Sequence, residues 1–186
     1  MNSTKTRRTY RLHPQSATLA AIALLLLGLV VPAGADPGND NRAPDVGDFE
    51  ELQVDAGHKV AFYTYAEGVQ IYRWNGASWV FVGPEAVLFA EGPGVVGIHY
   101  GGPTWESNSG SKVVGTVLER CPQPDSIPWL KLAAASNQAP GIFQGVTFIQ
   151  RVNTVGGNAP IAAGSFVGEE ARVPYAADYF FYRKQG

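Results

Sequence analysis

Along the chain, hydrophobic and polar positions alternate over short runs rather than over helical periods. Lys59–Ala66 (KVAFYTYA), Val69–Trp74 (VQIYRW), Ser78–Val82 (SWVFV), Ala86–Ala90 (AVLFA), Val95–Tyr100 (VVGIHY), Lys112–Leu118 (KVVGTVL), Val146–Val152 (VTFIQRV) and Tyr175–Arg183 (YAADYFFYR) are rich in β-branched and aromatic residues. Glycine, proline and asparagine punctuate them at close spacing, so each reads as a strand. Ile127–Ser136 (IPWLKLAAAS) fits a short helix, with Pro128 suited to a first turn, and equally a strand ending at a bend. The expected class is all-β, an antiparallel β-sandwich or β-barrel with at most one short helix.

One hairpin is legible in detail. Asn75-Gly76 separates two strands and both residues tolerate positive φ, as a tight hairpin turn requires. A two-residue loop sets Tyr72 opposite Trp79; a four-residue loop sets Trp74 opposite Trp79. Either register leaves Val69, Ile71, Val80 and Val82 on one face and Tyr72, Trp74, Trp79 and Phe81 on the other.

The N-terminus changes the picture of where the domain begins. Lys5, Arg7, Arg8 and Arg11 precede an apolar run, Ala17–Val31, which ends at Pro32-Ala33-Gly34-Ala35. Basic region, short apolar core and small-residue site predict a cleaved secretory signal peptide over residues 1–35, with cleavage near Ala35. The run is shorter than the roughly twenty residues of a membrane-spanning helix, and no second long apolar segment follows. Residues 36–48 (DPGNDNRAPDVGD) read as a flexible leader and 49–186 as a single β domain. The expected location is extracellular or in the cell envelope.

Charge and cysteine content narrow the classes further. Four of the 14 Lys+Arg and none of the 16 Asp+Glu lie in residues 1–35, so residues 36–186 carry a formal net charge of −6. An acidic domain offers no general field for phosphate backbones, which argues against nucleic-acid partners. Cys121 is the only cysteine, so no internal disulfide forms; a buried, inert thiol and an intermolecular disulfide are the two alternatives.

Gly92, Gly94 and Gly97 spell Gly-x-Gly-x-x-Gly, a spacing used by dinucleotide-binding loops. Such loops need a helix launched directly after the glycines. Here Ile98-His99-Tyr100 is followed by Gly101-Gly102-Pro103, which ends any helix before its second turn. The expectation is a turn before the strand Val95–Tyr100, and no cofactor.

Candidate chemistry is sparse. The mature chain holds His58 and His99, without the close spacing of a zinc motif. His99, in an apolar strand, is the candidate metal ligand or general base, with Glu106 as its candidate carboxylate; a histidine hydrogen-bonded inside the fold is the alternative. His58 reads as an exposed turn residue. Glu85, Glu106, Asp125 and Asp178 could supply a glycosidase pair only if space brings two together. Asp178 shares a strand face with Ala176, Phe180 and Tyr182. Trp105, between Gly-Gly-Pro and a polar loop, is the tryptophan expected to be partly exposed; with Tyr100 it is the candidate for stacking on a carbohydrate or another small extracellular ligand. Arg151 is expected to pair with a carboxylate across the sheet. Gly156-Gly157-Asn158-Ala159-Pro160 reads as a tight loop.

Several motifs come in one order: Gly68-Val69-Gln70-Ile71-Tyr72, Gly97-Ile98-His99-Tyr100, Gly102-Pro103-Thr104-Trp105, Ile127-Pro128-Trp129-Leu130, Ile149-Gln150-Arg151-Val152-Asn153-Thr154 and Val173-Pro174-Tyr175-x-Ala177-x-Tyr179-x-Phe181-Tyr182. Together they resemble the domain-of-unknown-function 3455 family over about residues 50–183. The resemblance implies an exported, mostly β domain without an established activity, and it carries over no catalytic residue. It also implies cysteines where Trp74 and Ser165 stand, which makes those positions neighbours if the cysteines pair. Where the pattern has Asp-Gly-Ser this chain has Ser109-Gly110-Ser111, so any role of that carboxylate is missing. The functional expectation is an extracellular or envelope binding module. The alternative is a small secreted hydrolase or metal-assisted enzyme centred on His99 and Glu106.

Overall fold

The structure, a computed structural model, describes residues 42–90 and 94–186. The expected signal peptide and residues 36–41 of the leader lie outside the described residues, as do Glu91, Gly92 and Pro93 of the glycine motif. Eight antiparallel strands follow one another around a closed barrel: β1 (His58–Trp74), β2 (Trp79–Phe89), β3 (Val95–Tyr100), β4 (Thr104–Ser107), β5 (Lys112–Cys121), β6 (Trp129–Gln138), β7 (Val146–Gly156) and β8 (Glu170–Lys184). Each strand pairs with its neighbours in sequence, and β8 returns to pair with β1. Of the two expected architectures the chain adopts the barrel, whose closure leaves unpaired strand edge where β3 and β4 are short. Among the described residues no helix is long and apolar enough to cross a membrane.

Two apparent breaks in the sequence pattern are places of close packing. Glu67-Gly68 does not end a strand: β1 runs through it, and a Cβ on Gly68 would lie 2.1 Å from the Glu85 carbonyl oxygen and 2.5 Å from Ala86 Cα. Likewise Gly83-Pro84-Glu85 lies inside β2. Pro84 is tolerated because β2 first pairs with β3 at Glu85, so the missing N–H has no ladder partner to serve on that side. Ile127–Ser136 contributes a strand and no helix; the only helical turn among the described residues is a 3-10 turn at Glu50–Leu52. β4 escaped the sequence reading because its four residues are hemmed between Gly-Gly-Pro and Asn-Ser-Gly.

After Gly94 the chain enters strand β3 directly, which removes the dinucleotide reading. Gly97 serves contact between β3 and β4: a Cβ there would fall 2.2 Å from the Glu106 carbonyl oxygen. The β1–β2 hairpin takes the four-residue loop, with Trp74 opposite Trp79 and the Asn75 side chain accepting from the Ala77 and Ser78 amides. The β7–β8 connection lies over its aromatic face. Trp79 Nε1 donates to the Ala162 carbonyl (2.8 Å), and a Cβ on Gly164 would meet the Trp74 ring at 2.5 Å. Trp74 is thus a neighbour of the Gly164-Ser165 segment, as the family resemblance implied.

The two ends of the barrel differ. At one end Phe143, from the β6–β7 connection, plugs the interior against Phe62 and Phe181, with ring centroids 5.4 and 5.1 Å away. Leu88, Val146 and Ile149 complete this apolar floor. The other end is notched. β3 and β4 are short, so residues 79–84 of β2 and 115–121 of β5 have no β3 or β4 partner between them. The Gly101-Gly102-Pro103 turn forms the base of the notch, tied to β5 where the Gly115 amide donates to the Pro103 carbonyl (3.0 Å).

Outside the barrel, the end of the leader is anchored. Val46 and Leu52 are buried with Cys121 and Val152 in a second apolar cluster, with Phe49 against Trp129. Gln150 Nε2 donates to the Leu52 carbonyl (2.6 Å), fixing this segment to β7. Cys121 is buried and its thiol donates to Glu51 Oε1 (3.2 Å).

Candidate functional site

Alternation along the strands decides which side chains enter the barrel. On β1, Thr64, Ala66, Gln70 and Tyr72 are buried, while Tyr65, Glu67 and Arg73 are exposed. On β8, Tyr175, Ala177, Tyr179 and Phe181 are buried in the core. Toward the notched end these inward positions become polar: Gln70, Tyr72, His99, Arg151, Tyr175 and Tyr179. With Trp105, Leu130, Leu132 and Pro128, five of these six surround a cavity of about 370 Å³; Tyr175 is the one outside its lining. Phe81, Val82, Val117 and Arg120 line its notch side, where Phe81 and Val82 are half exposed.

His99 is held inside the barrel. Its Nδ1 lies 2.8 Å from the Thr104 carbonyl, which can only accept, so Nδ1 carries the proton and Nε2 keeps a lone pair. The ring stacks on Trp105 (4.4 Å, 11°) and meets the edge of Tyr179 (5.1 Å). Burial outweighs the Thr104 hydrogen bond and pushes its pKa down to about 3, so the imidazole is neutral at ordinary pH.

Arg151 is the charged member. It is 8% exposed, and Nε and Nη2 both donate to the Pro128 carbonyl (3.1 and 2.7 Å). The expected carboxylate partner is not there: among the described residues no Asp or Glu forms an ion pair with it. The groups whose titration it influences are Tyr72, His99, Tyr175 and Tyr179. All three tyrosine hydroxyls are pushed up by burial, so this neighbourhood is neutral apart from the guanidinium.

Three buried donors of the cavity wall lack a protein partner: Gln70 Nε2, Trp105 Nε1 and Tyr179 Oη. The Tyr175 hydroxyl faces that of Tyr179, and neither reaches a protein partner at hydrogen-bond distance. Tyr72 is satisfied, donating to the Gly157 carbonyl (2.7 Å), which brings the Gly156–Pro160 loop onto the barrel end. Each unsatisfied buried donor costs about 1–3 kcal/mol, and three of them are concentrated around this one cavity.

The sequence candidates separate. Trp105, expected to be partly exposed, is 1% exposed, because it points into the barrel opposite His99 and Val113. Tyr100 and Glu106 lie on the outer face, where Tyr100 Oη donates to Glu106 Oε2 (2.9 Å) and Lys112 Nζ pairs with the same oxygen (2.9 Å). Those two contacts hold the Glu106 carboxyl below its usual range. His99 and Glu106 therefore stand on opposite sides of the sheet and share no site. Among the described residues no cluster of three or more His, Cys, Asp or Glu could hold a metal ion. Asp178 is on the outer face too, accepting from Asn153 Nδ2 (2.9 Å). Glu85 pairs with Arg172 (2.7 Å) on the surface. His58 rests its ring edge against Phe148 (4.9 Å).

In the sequence Gln70, Tyr72, Tyr175 and Tyr179 stand only as motif residues and not as site candidates. Their signal was present as polar residues at positions of the same parity as Ala66, Ala177 and Phe181, and Arg151 stood inside an otherwise apolar strand.

A search of curated proteins finds no match to this chain, and a search of solved structures finds none either. The family model described as "Protein of unknown function (DUF3455)" matches residues 55–183, from the residues just before β1 to the penultimate residue of β8, and the chain therefore belongs to that family.

Proposed function

We propose that this protein is an exported binding module that holds a small molecule inside the notched end of its barrel. The observation that carries the reading is the 370 Å³ cavity whose wall contains partnerless buried donors beside a buried arginine. The volume falls in the usual range of small-molecule pockets, about 300–1,000 Å³. The lining has the usual composition as well, an apolar majority with a few converging polar groups. A rigid barrel with a plugged floor presents those groups with little ordering cost on binding. The ligand is a small extracellular molecule held within the fold, in contrast to a polymer laid across exposed aromatic rings, because Trp105 is inside.

Export rests on the N-terminal pattern of basic residues, apolar run and Ala-Gly-Ala. Intact mass of protein recovered outside the cytoplasm should correspond to a chain beginning at Asp36; a chain retaining Met1–Ala35 would contradict it.

The binding reading is tested by a thermal-shift screen of small aromatic and aliphatic compounds. Wild type is compared with Leu132→Trp, which fills the cavity from a wall position. Compounds that raise the wild-type melting temperature should leave the variant unmoved; at a hundred times Kd the stabilisation is about 2.7 kcal/mol. Equal shifts in both proteins, or none in wild type, would overturn the reading.

A further inference from the structure

The cavity wall also specifies the chemistry of the ligand. Arg151 is more than nine-tenths buried; two of its five N–H groups donate to the Pro128 carbonyl, and its guanidinium also faces the Tyr179 hydroxyl without reaching hydrogen-bond distance. Around it stand tyrosines and a histidine that are neutral at ordinary pH, and no carboxylate among the described residues balances its charge. A buried charge without a counter-charge is strongly unfavourable, so it persists where something else compensates it. The unpartnered wall groups are two donors, the Gln70 amide N–H and the Trp105 indole N–H, and the Tyr179 hydroxyl, which donates or accepts; the His99 Nε2 lone pair is the neutral acceptor beside them. A buried cation beside two N–H donors is complementary to an anion and hostile to a cationic ligand. The remaining wall, Ile127, Leu130, Leu132 and the Trp105 ring, is apolar.

We propose that the cavity takes a small molecule with a carboxylate or chemically equivalent monoanionic head and an apolar body, the head resting on the Arg151 guanidinium and the body against Leu130, Leu132 and Trp105. The inference rests on the reading of the cavity as a ligand site and goes beyond it by fixing charge and orientation. A carboxylate suits the guanidinium because the planar fork of N–H groups matches two oxygens at once. Arg120, at the notch, adds a second cation on the path inward. Access through the notch keeps the apolar body between Phe81 and Val117 as the head descends.

The test uses matched acid and amide probes of the same shape: naphthalene-2-carboxylate with naphthalene-2-carboxamide, and decanoate with decanamide. Each is titrated calorimetrically at pH 7.5 into wild type, Arg151→Met, Arg151→Lys and Arg120→Gln. Wild type should bind at least one acid tenfold or more tighter than its amide. Arg151→Met should bring acid and amide to within twofold by weakening the acid alone, Arg151→Lys should keep part of the preference, and Arg120→Gln should keep most of it. Equal binding of acid and amide by wild type would overturn the anion proposal while leaving the cavity as a ligand site. A preference that survives Arg151→Met, or vanishes only in Arg120→Gln, would also overturn it by moving the head elsewhere. No binding of any probe to wild type would remove both readings. If Arg151→Met does not fold, the wild-type ratio and the Arg151→Lys ratio decide the question.

Discussion

The imidazole of His99 lies face to face with the indole of Trp105, their centroids 4.4 Å apart and their planes 11° from parallel. The pair is a cross-strand contact, His99 on β3 opposite Trp105 on β4, and it joins the polar end of the barrel to the aromatic floor. From Trp105 the contacts continue to Phe181 (5.9 Å) and from there to Phe62 (4.6 Å). Removing Trp105 therefore breaks both layers. Trp105→Ala should destabilise the fold by about 3 kcal/mol, near the lower end for a buried aromatic because the adjoining cavity lets the wall relax. Urea unfolding measures this; a loss under about 1 kcal/mol would mean the indole is not a core element.

His99 gives the domain an acid sensitivity of its own. Its folded pKa, about 3, lies below the ordinary value of 6.5, so the unfolded chain takes up a proton first as pH falls. Stability is then full above about pH 6.5 and declines below it, by about 2 kcal/mol at pH 5 from this group alone. The melting temperature of wild type should fall between pH 7 and 5, and that of His99→Gln should fall much less over the same range. Parallel curves for the two proteins would contradict the buried neutral assignment.

Gly68 tests the barrel wall. A methyl group there would lie within 2.6 Å of Glu85 and Ala86 atoms, most of them backbone. Gly68→Ala should therefore cost about 3 kcal/mol or more, beyond the 1–3 kcal/mol typical of overpacking a core where side chains can move. Circular dichroism with urea titration checks it, and a neutral substitution would show that β1 and β2 do not cross so closely.

How much of this was legible beforehand differs between fold and site. The alternation that marks β1, β2 and β8 is local, so the all-β class could be read. Closure into a barrel could not, because it depends on β8 finding β1 across the whole chain. Gly68 and Pro84 imitate breaks, since a residue needed for close approach or tolerated without a ladder partner looks the same as one that ends a strand. The neighbours of Trp105 in sequence, Gly102-Pro103 and Asn108, suggest a surface loop, whereas β4 turns the indole inward. His99 and Glu106 were paired by proximity in sequence, but neighbouring register positions put them on opposite faces. Arg151 suggests half of an ion pair, but its partner is the Pro128 carbonyl, which carries no signature a sequence could display.

Cys121 resolves one alternative left open by the sequence. Its thiol is buried, donates to Glu51 and has its pKa pushed up to about 11, first by burial and then by the Glu51 contact. At pH 8 the thiolate fraction is smaller than that of a free cysteine by roughly two orders of magnitude. A thiol reagent at pH 8 should label native protein at least a hundredfold more slowly than urea-unfolded protein, and non-reducing electrophoresis should show no dimer. Rapid native labelling would contradict the burial.

The central claim is that a small molecule binds within the barrel beside Trp105, and indole N–H resonances read this directly. The protein has four tryptophans, of which Trp105 lines the cavity and Trp129 packs against Phe49 on the outside. In ¹⁵N-labelled protein, with Trp105→Phe and Trp129→Phe used to assign the two signals, naphthalene-2-carboxylate should shift the Trp105 indole resonance and leave that of Trp129 in place. A shift at Trp129 with none at Trp105, or no shift at saturating probe, would contradict it.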